Sequence, residues 1–156
     1  MRVSLDRIDH RLLEEMQRDG DLSQRELAER VGISQNACWR RLRRLQEAGI
    51  NRGSRVVLDR TLLGLDLVVF MMVRTRHHSA EWSERFCRHV AGIPEVSELH
   101  RIGGDWDYLL RVVTNGMAGY DRVYRELIGA FDLETVTGYF SMEAMLEDRP
   151  LRPPGV

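Results

Sequence analysis

Lysine is missing from this chain, so all 23 basic residues are arginine. The replacement runs through acidic and basic stretches alike and reads as codon bias, although arginine does suit bidentate contacts to phosphate and guanine. Cysteine is almost as scarce. Cys38 and Cys87 are too few and too far apart to frame a fold with disulfides. Cys87 and His89 form a lone Cys-x-His with no second pair at ligand spacing, so no metal and no other cofactor is expected. The adjacent His77 and His78 read as a solvated pair at a strand end, and nothing surrounds Cys38 that would make it a nucleophile. No catalytic residue is proposed, and an enzyme is not expected. Long apolar runs are lacking too: the longest, Leu67 to Val73, falls far short of a bilayer span and reads as a buried strand. No secretory signal opens the chain, which points to a reduced, cytoplasmic location and no membrane partner.

What is present is unevenly distributed. The chain of 156 residues carries a net charge of -1, but residues 34–60 hold seven arginines against Glu47 and Asp59, a net +5. Residues 61–156 hold ten arginines against fourteen acids, a net -4. A surface for a polyanion therefore belongs near the front, and two small domains fit better than one.

The stretch Leu22 to Leu45 predicts two short helices joined by a tight turn. Ser23 stands three residues before Glu26, the spacing of a capping box, and Ser34 caps the second helix. Leu27, Ala28 and Val31 form an apolar stripe, Gly32 supplies the positive φ of the turn, and Ile33 plugs the corner. This is a helix-turn-helix pattern. Within the second helix Cys38, Leu42 and Leu45 face inward, leaving Gln35, Asn36, Trp39, Arg40 and Arg43 on another face. Amides pair with adenine, and guanidinium groups pair with guanine or phosphate, so this is the inventory of a helix that enters a major groove; a solvated arginine-rich helix is the plainer alternative. With the cap residue and the neighbouring arginines, the expected DNA-contacting set is Ser34, Gln35, Asn36, Trp39, Arg40, Arg43, Arg44 and Arg52. A support helix from Asp6 to Arg18 carries Ile8, Leu12, Leu13 and Met16 on one face.

After Gly49 and Gly53, Arg55 to Leu58 predict a short connecting strand. The rear half then alternates: strand Leu67–Arg76, helix Ser79–Val90, strand Val96–Ile102, strand Asp107–Val113, helix Met117–Phe131 and strand Thr135–Met145. The order βαββαβ predicts a ferredoxin-like sheet with both helices on one face. Phe70, Met72, Leu109 and Tyr139 on the other face need a partner, and a second copy of the chain is the simplest one. The fold class is thus α+β. It comprises a winged-type helix-turn-helix domain over residues 1–52, a linker over 53–66, a ferredoxin-like domain over 67–147 and a mobile tail over 148–156.

Taken together, ISQNACWRRLRRLQEAGI from Ile33, Leu58-Asp59, IGGDWDYLLRV from Ile102 and MAGY from Met117 resemble the leucine-responsive and asparagine-responsive (Lrp/AsnC) family of regulators, over about Leu5 to Glu143. The resemblance implies a sequence-specific regulator of amino-acid metabolism or transport that binds double-stranded DNA. It also implies homodimers that assemble into octamers or similar rings, with an amino-acid effector bound between dimers. By position it assigns the recognition helix to Ser34–Leu45 and the effector turn to Gly103, Gly104, Asp105, Trp106, Asp107 and Tyr108. Exposed glycine amides can hold a carboxylate, and Asp105 or Asp107 an ammonium group, although from spacing alone the same residues make a tight turn. A Thr-x-Thr that helps hold the ligand in many family members falls here at Val136 and Gly138, which join the expected effector-binding set, while Thr135 and Thr137 point to the opposite face. Gly103 likewise stands where Ser or Thr is frequent. An architectural DNA-binding protein without an effector is the alternative. Tetrapyrrole decarboxylases share the fold, but their histidine-rich strand motif is absent.

Overall fold

The computed structural model describes residues 4–152. It divides into two compact units, Met1–Val57 with Leu146–Val156, and Leu58–Met145.

The first unit is built on α1 (Arg7–Arg18), α2 (Gln24–Val31) and α3 (Gln35–Glu47). Each start is capped as its sequence demands. Asp6 and Asp9 form a capping box on α1, Ser23 and Glu26 form another on α2, and the Ser34 hydroxyl accepts from the Ala37 amide. Gly32 ends α2 at φ 78°, where a Cβ would be strained. Leu12, Leu27, Ala28, Val31 and Cys38 form the buried centre, with Ile8, Met16, Ile33 and Leu42 packed on it.

One feature of this core has no apolar signature. The Asp9 carboxylate is fully buried. It accepts from Arg41 Nη1 at 2.8 Å, from Arg44 Nη2 and, at 3.0 Å, from the Asp6 amide. Arg41 also reaches Asp6 at 2.7 Å, so α3 is tied to the first turn of α1 through charge. The Asp6 carboxyl is held at about 2, chiefly by the Asp9 amide and then by Arg41.

The chain returns to this unit at its far end. The Gln17 amide donates to the Leu151 carbonyl at 2.9 Å and accepts from the Leu151 amide at 2.7 Å. The stretch expected to be a mobile tail over 148–156 is thus fastened to α1 at Leu151, while residues 153–156 lie outside those described. The connecting strand expected at Arg55–Leu58 does not form in the single chain. A lone extended segment has no neighbour to hydrogen-bond, and Val56 and Val57 stay exposed.

The second unit runs β1 (Leu67–Arg74), α4 (Ala80–Val90), β2 (Val96–Arg101), β3 (Tyr108–Thr114), α5 (Met117–Ala130) and β4 (Thr135–Phe140). The sheet order is β2-β3-β1-β4, and all pairs are antiparallel. This is the ferredoxin-like arrangement. The last strand stops at Phe140, short of the expected Met145, and Met142 and Met145 are exposed. Val69, Met71 and Val73 of β1 alternate toward the helices and meet Trp82, Phe86, Val90, Val123 and Leu127. Phe86 is the hub of an aromatic cluster, with ring centroids 4.8 Å from Tyr108, 5.1 Å from Trp82 and 5.2 Å from Phe131.

Alternation carries Phe70 and Met72 to the other face, where the register sets Phe70 beside Tyr139 and Met72 beside Leu109. Among the described residues no segment covers Tyr139, which is 54% exposed. Among the described residues no helix is long and apolar enough to cross a membrane, and no group of His, Cys, Asp or Glu side chains is placed to hold a metal ion.

Candidate functional site

On the first unit, helix α3 separates its faces cleanly. Cys38 and Leu45 are buried, and Arg41 is turned inward to Asp6 and Asp9. The opposite face presents Gln35, Asn36 and Arg40, all exposed, with Trp39 at 49% exposure. Because Ser34 caps the helix, Gln35 and Asn36 stand in its first turn, the part of a recognition helix that meets base edges. The Arg43 guanidinium lies 5.4 Å from the centre of the Trp39 ring and donates to Glu47 at 2.7 Å, so it is oriented by neighbours on its own helix.

Arg44 differs from its expected role. Its guanidinium is joined to the buried Asp9, which makes it part of the α1–α3 clasp. Arg52 is exposed in the turn after α3, as is Arg55. Sequence reasoning missed Asp9 and Arg41. Their separation of 32 residues leaves no local signal, and an aspartate in the first turn of a helix looks like an ordinary solvated acid.

On the second unit, the loop Gly103–Tyr108 is closed by the Ile102 amide donating to the Asp107 carbonyl at 2.9 Å. The Asp107 amide donates to the Val73 carbonyl at 2.9 Å, and the Asp107 carboxylate accepts from the Thr75 amide at 2.8 Å. Asp107 therefore holds the loop to the end of β1, with His78 Nδ1 3.7 Å away. Gly104 sits at φ 119°, a conformation that excludes most side chains. The six residues expected at this turn do not act alike. Gly103, Gly104 and Asp105 are exposed, Trp106 is half-buried, and Tyr108 is buried with its hydroxyl donating to Ser83 Oγ at 2.9 Å. Tyr108 belongs to the core.

The two expected strand positions are also drawn inward. Val136 stands beside Val73 and Gly138 beside Met71, so both share the helix-covered face. Val136 packs on the core, and a methyl group on Gly138 would lie 2.5 Å from the Tyr120 hydroxyl. That phenol, whose pKa burial raises, fills the space a threonine would need. Their open-face neighbours in the register are Thr135, opposite Arg74, and Thr137, opposite Met72. Arg74 is the residue that sequence reasoning did not single out: its Nε donates to the Asp105 carbonyl at 2.6 Å, and its guanidinium lies 5.0 Å from the Trp106 ring centre.

Both halves match known families. Residues 5–50 match the winged helix-turn-helix DNA-binding family, and residues 68–151 match the Lrp/AsnC ligand binding domain. The chain belongs to the Lrp/AsnC family of transcriptional regulators. Within that family it is 42% identical over 140 residues to the DNA-binding transcriptional activator DecR of Escherichia coli, covering 89% of this chain and 92% of the relative. An AsnC family transcriptional regulator from Agrobacterium tumefaciens superposes with a TM-score of 0.87 at 38% identity, covering 92% of this chain and 94% of that one. A transcriptional regulator from Neisseria meningitidis, solved as an L-Met complex, superposes with a TM-score of 0.88 at 30% identity, covering 95% and 96%. The family is one of DNA-binding regulators rather than enzymes.

Proposed function

We propose that this Lrp/AsnC regulator is a cytoplasmic homodimer that reads a pseudopalindromic operator and responds to an amino acid bound at the loop Gly103–Asp107 between dimers. The observation that carries the DNA reading is the outward face of α3. Gln35, Asn36 and Arg40 are exposed around Trp39, and Arg40 makes no ion pair among the described residues. Two copies related by a two-fold axis present two such helices, so half-sites lie about one helical turn, or a multiple of it, apart. The uncovered sheet face bearing Phe70, Met72 and Tyr139 supplies the apolar surface for pairing.

Replacing Asn36 or Arg40 with Ala should weaken binding to a specific operator by roughly 1 to 3 kcal/mol while changing affinity for random DNA much less. Equal losses on both DNAs would make that residue a phosphate contact. A salt titration on the two DNAs tests the architectural alternative, which the inward-facing Val136 and Gly138 favour: similar affinity and slope for both would support a protein that reads only the backbone.

A further inference from the structure

The effector loop has a cation that its own sequence does not contain. Alternation along β1 brings Arg74 to the uncovered face of the sheet, next to Thr135 of β4. There it is held twice, by its Nε donating to the Asp105 carbonyl at 2.6 Å and by the Trp106 ring 5.0 Å below the guanidinium. No carboxylate pairs with it among the described residues, in contrast to Arg76 with Glu134, Arg122 with Glu95 and Arg125 with Asp121 in the same unit. A guanidinium fixed through Nε keeps the donors of its two Nη groups for a second acceptor, and a planar fork of this kind matches a carboxylate.

The rest of the loop is equally unspent. Among the described residues the amides of Gly103, Gly104, Asp105 and Trp106 donate to no backbone or side-chain acceptor, and open space lies where side chains on the two glycines would project. Of the two acids, Asp107 is used to close the loop, whereas the Asp105 carboxylate has no partner among the described residues. Held against the Asp105 carbonyl, the Arg74 cation thus stands beside a run of free amides and one free acid. That set is complementary to a zwitterion, not to a neutral or purely cationic solute.

We propose that Arg74 is the carboxylate anchor of the effector site, so that the ligand is an amino acid with a free α-carboxylate, gripped by Arg74 and the loop amides and by Asp105 at its ammonium group. This rests on the amino-acid effector reading above. It moves the charge recognition from the loop alone to a contact between the loop and the end of β1. The stacked Trp106 and the Asp105 carbonyl then act as positioning groups, since they fix the plane of the guanidinium before a ligand arrives.

The test uses the full chain. Thermal shift against each of the twenty amino acids picks the probe that raises the midpoint most, and calorimetry then compares that amino acid with its own α-carboxamide. The wild type should bind the carboxamide at least tenfold more weakly. R74Q should lose at least tenfold for the amino acid and show little further discrimination against the carboxamide, while R74K should recover part of the loss. Such non-additivity marks a direct contact that a general loosening of the loop does not reproduce. Should R74Q not fold, R74K and the wild-type carboxamide ratio carry the comparison. R74Q binding as tightly as wild type, or a wild type indifferent to the carboxamide, overturns the Arg74 assignment and leaves the effector reading standing. No midpoint shift with any of the twenty overturns both.

Discussion

The two units are held together by different physics. In the second, the centre is an aromatic cluster around Phe86, sealed between two helices and one sheet face, and its stability scales with apolar area removed from water. In the first, three short helices enclose a smaller apolar centre, and a buried carboxylate with two arginines closes the seam between α1 and α3. A small helical unit has little apolar surface to bury, so caps and ion pairs carry a larger share of its stability. The difference predicts that the DNA-reading unit is sensitive to charge and pH, and the effector unit to side-chain volume.

The largest effect expected is from Phe86→Ala, which should destabilise the second unit by about 4 kcal/mol through lost burial and the cavity left behind. Denaturant unfolding followed by near-UV circular dichroism checks it; a loss under 1 kcal/mol would show that the aromatic cluster is not the centre of this unit. Asp9→Ala should cost the first unit about 3 kcal/mol, because the α1 capping box and the charge-assisted bonds from Arg41 and Arg44 are lost together, although Arg41 keeps Asp6. Here the readout is DNA binding together with the helical signal. A variant as stable as wild type would put the clasp among the many ion pairs that contribute nothing.

Gly119→Ala follows at about 2 kcal/mol. The new methyl group would fall 1.8 Å from Oγ1 of the buried Thr114, so overpacking outweighs the better helix propensity of alanine. A rise in melting temperature would mean that Thr114 rotates away at no cost. The smallest effect concerns acid. The Asp6 carboxyl is at about 2 in the folded chain against an ordinary 3.8. Its contribution is complete above about pH 4 and is lost as pH falls toward 2. Asp6→Asn should remove that part of the acid slope in the first unit and leave the second unit's acid transition where it was, as followed by helical and aromatic signals in parallel.

Legibility differed between the two sites for a reason visible in particular residues. The DNA face is written in contiguous sequence: Ser34, Gln35, Asn36 and Arg40 lie on one helix, and the helical period alone sorts them from Cys38, Leu42 and Leu45. Arg44 escaped that sorting, since the face of a helix does not reveal which distant acid it meets. The effector site is assembled across the sheet. Asp105 and Trp106 were visible as loop residues, but Arg74 lies 31 residues earlier and joins them only because Asp107 fastens the loop to the end of β1. The same register removes Val136 and Gly138 to the helix side, under Tyr120.

Apart from the connecting strand expected at Arg55–Leu58, the sequence by itself determined the elements, their order and the family, because caps, hydrophobic periods and glycine turns act over a few residues and need no partner to be read. It also determined that residues 34–60 are basic and residues 61–156 acidic. Tertiary structure alone decided which charges are spent. Asp6 and Asp9 together neutralise Arg41 and Arg44 while Arg74 is left with donors to spare, and this depends on pairings 31 to 35 residues apart. An ion pair or a cation stacked on an indole is a contact of a few ångströms between side chains, and it exists only once helices and strands have settled against each other.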